Sequence, residues 1–126
     1  MIDYTQAQER RYDALLASEE ETGERTGRVW ERLKSDALDV LLGRREYVEC
    51  GWNHTGVAKT QDEGFLTVLD NGIGHEVNTG FMLAAFKAAH QGKGDVCAAL
   101  LNSLAEAVAT RWANDYAEAV ADAERP

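Results

Sequence analysis

Residues 96–123, VCAALLNSLAEAVATRWANDYAEAVADA, decide the fold because their apolar side chains recur at intervals of three and four. This spacing places them on one face of an α-helix. Asp95 comes directly before the run and is expected to cap the helix at its N-terminus. We therefore predict a helix over residues 95–123. Its apolar face comprises Cys97, Leu101, Leu104, Val108, Trp112, Tyr116, Ala119 and Val120.

The length of this helix predicts self-association. It would measure about 42 Å, whereas a compact chain of 126 residues has a radius of gyration of only about 14 Å. One end of the helix should then extend beyond its own domain, and a second copy is expected to cover it as a two-fold homodimer. The alternative is that the other helices cover the whole apolar face within one chain. The predicted dimer interface comprises Leu101, Leu104, Val108, Trp112 and Tyr116.

Two helices are predicted in the first third of the chain, over residues 5–22 and 26–42. Gly23 is expected to separate them, because glycine costs about 1 kcal/mol in a helix interior. An uninterrupted helix through Gly23 and Gly27 is the alternative. Gly43 is suited to the left-handed conformation that ends many helices. The apolar face of the second helix comprises Val29, Leu33, Ala37, Val40 and Leu41.

A further helix is predicted over residues 78–90, with Asn78 or Thr79 as its N-cap. Residues 70–74 precede it and have the composition of a turn, and the glycine-containing residues 91–94 end it. The side chains expected to be buried on this helix are Phe81, Met82, Ala85, Phe86 and Ala89.

A small antiparallel β meander is predicted over residues 46–69. Residues 47–52 and 65–69 are rich in aromatic and β-branched side chains, as strands are. Residues 61–64 have the composition of a turn, and residues 57–60 form an optional third strand. So small a sheet is not stable alone and must pack against the helices.

Together these elements predict an α+β fold that is mainly helical, in the order α-α-β-β-α-α. The length is that of one domain, so we expect residues 1–126 to share one core.

The charge of the chain restricts its partners. It has 13 basic and 22 acidic residues, a net charge of −9. Such a surface repels phosphate groups, so direct binding to nucleic acid or to anionic membranes is not expected. A basic protein, such as a nucleic-acid-binding protein, is the complementary partner. The simpler alternative is that the charge only keeps the protein soluble.

The sequence also predicts a cytoplasmic protein. Its first residues, MIDYTQAQERR, lack the apolar segment of a signal peptide. No apolar run approaches the length of about 20 residues that spans a bilayer. Two cysteines do not constitute the disulfide framework of a small secreted domain.

One group of residues has the chemistry of a metal or catalytic site: Cys50, His54, His75 and Glu76. The spacings typical of zinc sites are missing, since there is no CxxC, no HExxH and no pair of histidines at helical spacing. A Cys50–His54 nucleophilic pair is disfavoured, because the neighbouring Glu49 raises the pKa of a thiol. We therefore predict no cofactor, no metal and no enzymatic activity.

The preferred function is a non-enzymatic protein-interaction module, an inhibitor or adaptor that occupies a basic surface of a partner. Mimicry of nucleic-acid charge is one form this takes, as in anti-defence or immunity-type inhibitors of phages and mobile elements. The alternative is a small-molecule or metal-binding domain, or a minor enzyme, centred on Cys50, His54, His75 and Glu76. The predicted partner-facing residues are Asp62, Glu63, Glu106, Asp115, Glu118 and Asp122.

Overall fold

The computed structural model describes the backbone of residues 4–50 and 61–124 and the side chains of residues 23–50 and 62–124. These residues form four helices and a two-stranded antiparallel sheet, which confirms the predicted α+β, mainly helical fold with its β element packed on helices. Within them, no helix has both the length and the apolarity needed to cross a bilayer. In chain order the elements are α1 (Tyr4–Leu41), β1 (Tyr47–Cys50), β2 (Gln61–Gly64), α2 (Phe65–Ile73), α3 (Glu76–His90) and α4 (Gly94–Ala123).

The first helix, α1, is continuous over 38 residues. The predicted break at Gly23 is therefore wrong, and the uninterrupted helix is correct. Each glycine within a helix costs about 1 kcal/mol, but a second helix would require another unfavourable nucleation step. Packing of Val29 and Leu33 in the core stabilises the turns that follow the glycines.

The core lies between α1 and α4, which run antiparallel. Nε1 of Trp30 donates a hydrogen bond of 2.8 Å to Oδ1 of Asn114, whereas Lys34, further along α1, pairs with Glu106, which is earlier on α4. The buried side chains of α1 are Val29, Leu33, Ala37 and Val40. Those of α4 are Leu104, Ala105, Val108, Ala109, Trp112, Ala113, Ala117, Val120 and Ala121.

A row of small side chains lies on the buried face of α4. Its buried alanines recur at intervals of four from Ala105 to Ala121. A row of this spacing forms a low ridge on the helix surface, which lets a neighbouring helix approach. Larger side chains, chiefly Trp112 and Val108, fill the space on either side.

The second strand is shifted from its predicted place. Residues 61–64, predicted as a turn, form β2, which pairs with β1 so that Val48 faces Glu63. Residues 65–69, predicted as a strand, are the first turns of α2. A short apolar run fits a strand or a helix equally well by composition. As a helix, the segment buries Val68 in the core. The optional strand at 57–60 lies outside the described residues.

The helix ends are partly as predicted. Gly43 and Gly92 have left-handed φ angles of 78° and 72°, and each ends its helix with the two backbone hydrogen bonds of a Schellman motif. The N-termini of α3 and α4 differ from the prediction, because their N-caps are His75 and Lys93. Asn78, predicted as a cap, is instead buried.

The buried amide of Asn78 fixes the corner between α2 and α3. Its Nδ2 donates a hydrogen bond to the backbone oxygen of Gly72, near the end of α2. Gly72 itself touches α4: a methyl group at this position would lie 2.9 Å from Cγ1 and 3.2 Å from Cα of Val108. The absence of a side chain at Gly72 is therefore what allows α2 to lie against α4.

Gly72→Ala should lower the free energy of unfolding by about 1–3 kcal/mol, because the added methyl group overpacks the contact with Val108. Urea denaturation measures this change. The matched control is Gly80→Ala in α3, where an added methyl group meets no atom within 4 Å. This control should raise stability by up to about 1 kcal/mol. A Gly72→Ala variant as stable as the wild type would show that α2 does not approach α4 this closely.

Candidate functional site

The acidic residues predicted to face a partner lie on α4 and β2. Glu63 of β2 is half-buried. The others are exposed: Asp62, Glu106, Asp115, Glu118 and Asp122.

Two of these carboxylates are partly neutralised. Glu106 is held by a lysine of α1 at 3.8 Å, and Oδ2 of Asp115 lies 3.2 Å from Nε of Arg111, one turn earlier on α4. Glu118 and Asp122 form no ion pair with any residue that the structure describes. The C-terminal half of α4 therefore presents uncompensated negative charge.

Tyr116 marks the place where β2 and α4 meet. Its pKa is raised above the ordinary value, chiefly by burial, then by the nearby Cys50 and by the negative charges of Asp115 and Glu63. A hydrogen bond of 3.5 Å from Nδ2 of Asn71 to the hydroxyl group acts in the opposite direction. Because Asp115 and Glu63 both act on this ring, these two carboxylates lie near each other. We call the predicted partner-facing acidic residues of α4 and β2 the acidic edge.

The raised pKa of Tyr116 predicts a loss of stability in alkali. The folded protein disfavours the tyrosinate, so its contribution is fully present below the unfolded pKa of about 10 and is lost as the pH rises through the higher folded pKa. Above pH 10, approximately, the free energy of unfolding should fall less steeply for Tyr116→Phe than for the wild type. Identical slopes in urea denaturation across this range would contradict the raised pKa.

The predicted dimer interface on α4 is largely core. Leu104, Val108 and Trp112 are only 6%, 0% and 1% exposed, so a second copy has no access to them. The C-terminal half of α4 does not extend beyond its own domain, because α1 packs beside it and buries its apolar face. Of the remaining predicted residues, Tyr116 is half-buried and Leu101 is exposed.

Trp112→Ala should therefore destabilise the folded chain by about 3–5 kcal/mol, the cost of removing a buried aromatic ring. Denaturation in urea measures the loss. Val77→Ala is the control, because Val77 is 69% exposed and its truncation should change stability by less than about 0.5 kcal/mol. Equal stability of the two variants would contradict the placement of Trp112 in the core.

The N-terminal half of α4 borders an open apolar groove that the sequence did not indicate. Its volume is about 460 Å³, within the range of ligand and peptide sites. The side chains that line the groove are apolar, apart from those of Asn102 and Cys97. The lining residues are Leu41, Leu42, Phe65, Leu69, Ile73, Met82, Ala85, Phe86, Ala89, Cys97, Leu101, Asn102, Leu104 and Ala105.

Large apolar side chains in the groove are exposed to solvent. Phe86 is 72% exposed, although the sequence predicted it to be buried, and Ala89 is exposed as well. On the same helix Ala85 and Ala88 are buried. The apolar residues of α3 thus extend over more than one face, and the nine-residue α2 is too short to cover the second face. The spread of apolar residues over more than one face of α3 was the signal in the sequence that could have indicated the groove.

The alternative site at Cys50, His54, His75 and Glu76 is only partly described. Cys50 is buried at the end of β1, His75 is the half-buried N-cap of α3, and Glu76 is exposed. His54 lies outside the described residues. Among the side chains that the structure describes, no three His, Cys, Asp or Glu residues are grouped so as to hold a metal ion.

No protein-family model matches this chain, and searches of curated proteins and of solved structures also give no match. The function therefore has to be argued from the two surfaces themselves.

Proposed function

We propose that this protein is a non-enzymatic interaction module, an inhibitor or adaptor whose acidic edge occupies a basic surface of a partner protein. The observation that carries the proposal is an uneven charge distribution. Residues 62–124 bear ten acidic and three basic side chains, whereas residues 23–50 bear six of each. The surplus of seven negative charges thus belongs to the elements that follow β1.

The arrangement of charge along α4 suits a cationic partner. Asp115, Glu118 and Asp122 are spaced by three and four residues, so they lie on one face of the helix over about 10 Å. All three are exposed. A rigid row of carboxylates of this kind complements Arg and Lys side chains that otherwise bind phosphate groups. Mimicry of nucleic-acid charge is the specific form of the proposal.

The rigidity of this row supports the proposal further. The opposite face of α4 is anchored in the core through Ala113, Ala117, Val120 and Ala121, each at most 4% exposed. The carboxylates are therefore held on a fixed backbone, and binding has to order only their side chains. Uncompensated charge of one sign also accelerates encounter with an oppositely charged partner.

The proposal places the protein in the cytoplasm. With only two cysteines, the sequence lacks the disulfide framework of a small secreted domain, which supports this placement. The candidate partners are consequently intracellular basic proteins, above all those that bind nucleic acid.

Charge reversal on the acidic edge tests the proposal. Asp115→Lys, Glu118→Lys and Asp122→Lys, combined in one variant, should abolish the capture of basic nucleic-acid-binding proteins from host lysate at low salt. For a captured partner, the association rate constant should fall about tenfold or more, and the wild-type rate should fall with rising ionic strength.

The matched control reverses the same number of charges elsewhere. Glu24, Glu31 and Glu46 are exposed on the other part of the chain, and their combined replacement by lysine changes the net charge equally. This control should retain most of the wild-type association rate. Equal losses in both variants, or association that does not depend on salt, would show that the acidic edge is not a binding surface.

A further inference from the structure

We infer that a second copy of this chain occupies the apolar groove, forming a two-fold dimer through α2, α3 and the first half of α4. This surface is separate from the acidic edge, and the inference does not depend on the proposed function. It also differs from the interface expected from the sequence, whose central residues are buried within one chain.

The first argument is the exposed apolar area. Six large side chains on the groove and on the helices that form it are 38–76% exposed. At about 150–250 Å² for a fully exposed aromatic side chain and about 100 Å² for a leucine, they offer on the order of 500 Å² to a partner, which is the size of a weak and reversible interface. A standard interface buries about 800 Å² on each side. These side chains are Leu42, Phe65, Leu66, Leu83, Phe86 and Leu101.

The shape of the groove face also suits a second copy. Phe86, a large apolar side chain of the groove lining that is 72% exposed, stands beside a hollow of about 460 Å³. A projection and a hollow on the same face are what a two-fold interface needs, because each copy then inserts its projection into the other. Phe86 of one copy enters the groove of its partner in this arrangement.

The third argument is the charge around the groove. The exposed Asp70, Lys87 and Glu106 each directly follow a lining residue, on α2, α3 and α4 respectively. The surroundings of the groove therefore carry both signs of charge, which suits neither a strongly cationic nor a strongly anionic partner. A second copy of the chain carries both signs as well, so it can pair its lysine with a carboxylate of the first copy.

Sedimentation equilibrium tests the dimer directly. The wild type should be mainly dimeric at about 100 µM and should dissociate on dilution. Phe86→Asp and Leu101→Asp should each be monomeric at the same concentration, because each places a charge in the apolar contact. Val77→Asp is the matched control: Val77 is 69% exposed on α3 but does not line the groove, so this variant should remain dimeric.

Cys97 supplies a second readout within the groove. Its thiol is part of the lining and is half-buried in one chain, whereas Cys50 is fully buried. Reaction of Cys97 with a maleimide should slow as the protein concentration rises, because the second copy covers it. In Leu101→Asp, the rate should not depend on protein concentration.

Three results would overturn the inference. The first is a monomeric wild type at about 100 µM. The second is a dimer that Val77→Asp dissociates and Leu101→Asp does not. The third is native mass spectrometry showing a monomer with an apolar ligand in place of a second copy.

Circular dichroism checks the fold of each variant. If Phe86→Asp is unfolded, Leu101→Asp and the labelling of Cys97 decide whether the dimer forms through the groove. The dimer should persist when the acidic edge is reversed to lysine, so the two proposals fail separately.

Discussion

The antiparallel packing of α1 on α4 is the contact on which the rest of the structure depends. It buries Leu33 and Ala37 of one helix with Val108 and Trp112 of the other, and the row of alanines on α4 makes the close approach possible. The two-stranded sheet and α2 are too small to form a hydrophobic core by themselves. The two-stranded sheet inserts Val48 and Cys50 into this cluster, and α2 adds Val68, so each is stable only because the helix pair is already in place.

The parts of the fold that the sequence predicted correctly are those with long, regular periodicity. The helix of residues 95–123 and the apolar face around Leu33 could be read from spacing alone, and Gly43 marked a helix end through its freedom to adopt a positive φ. Residues 61–69 were misassigned because the short run of four apolar residues within 65–69 fits a strand and a helix equally well, and the burial of Val68 in the core favours the helix. The sequence predicted a break in α1 because the unfavourable helix propensity of Gly23 can be read from the sequence itself. The core packing that outweighs this cost depends on residues far along the chain, so it cannot be read locally.

Local sequence patterns were also sufficient for only one of the two surfaces, the acidic edge and the apolar groove. Exposure of the carboxylates on α4 followed from their place opposite an apolar face, so the acidic edge could be anticipated from spacing. The groove was not anticipated, although the apolar residues of α3 extend over more than one face, because only the packing of α1, α2 and α4 decides whether the second face is covered. The two halves of α4 present different surfaces: the C-terminal half is anchored in the core and displays charge, while the N-terminal half leaves apolar side chains such as Leu101 in solvent. The proposed dimer and the proposed partner would then bind different halves of one helix.

Hydrogen exchange followed by mass spectrometry, at low and at high protein concentration, tests this division most directly. The account predicts that peptides from α3 and from the first half of α4 exchange more slowly at high concentration, because self-association covers the groove. Peptides from residues 107–123 should exchange slowly and equally at both concentrations, since α1 already covers their apolar face within one chain. Exchange that is independent of concentration in α3, or faster exchange in residues 107–123 than in the groove helices, would contradict it.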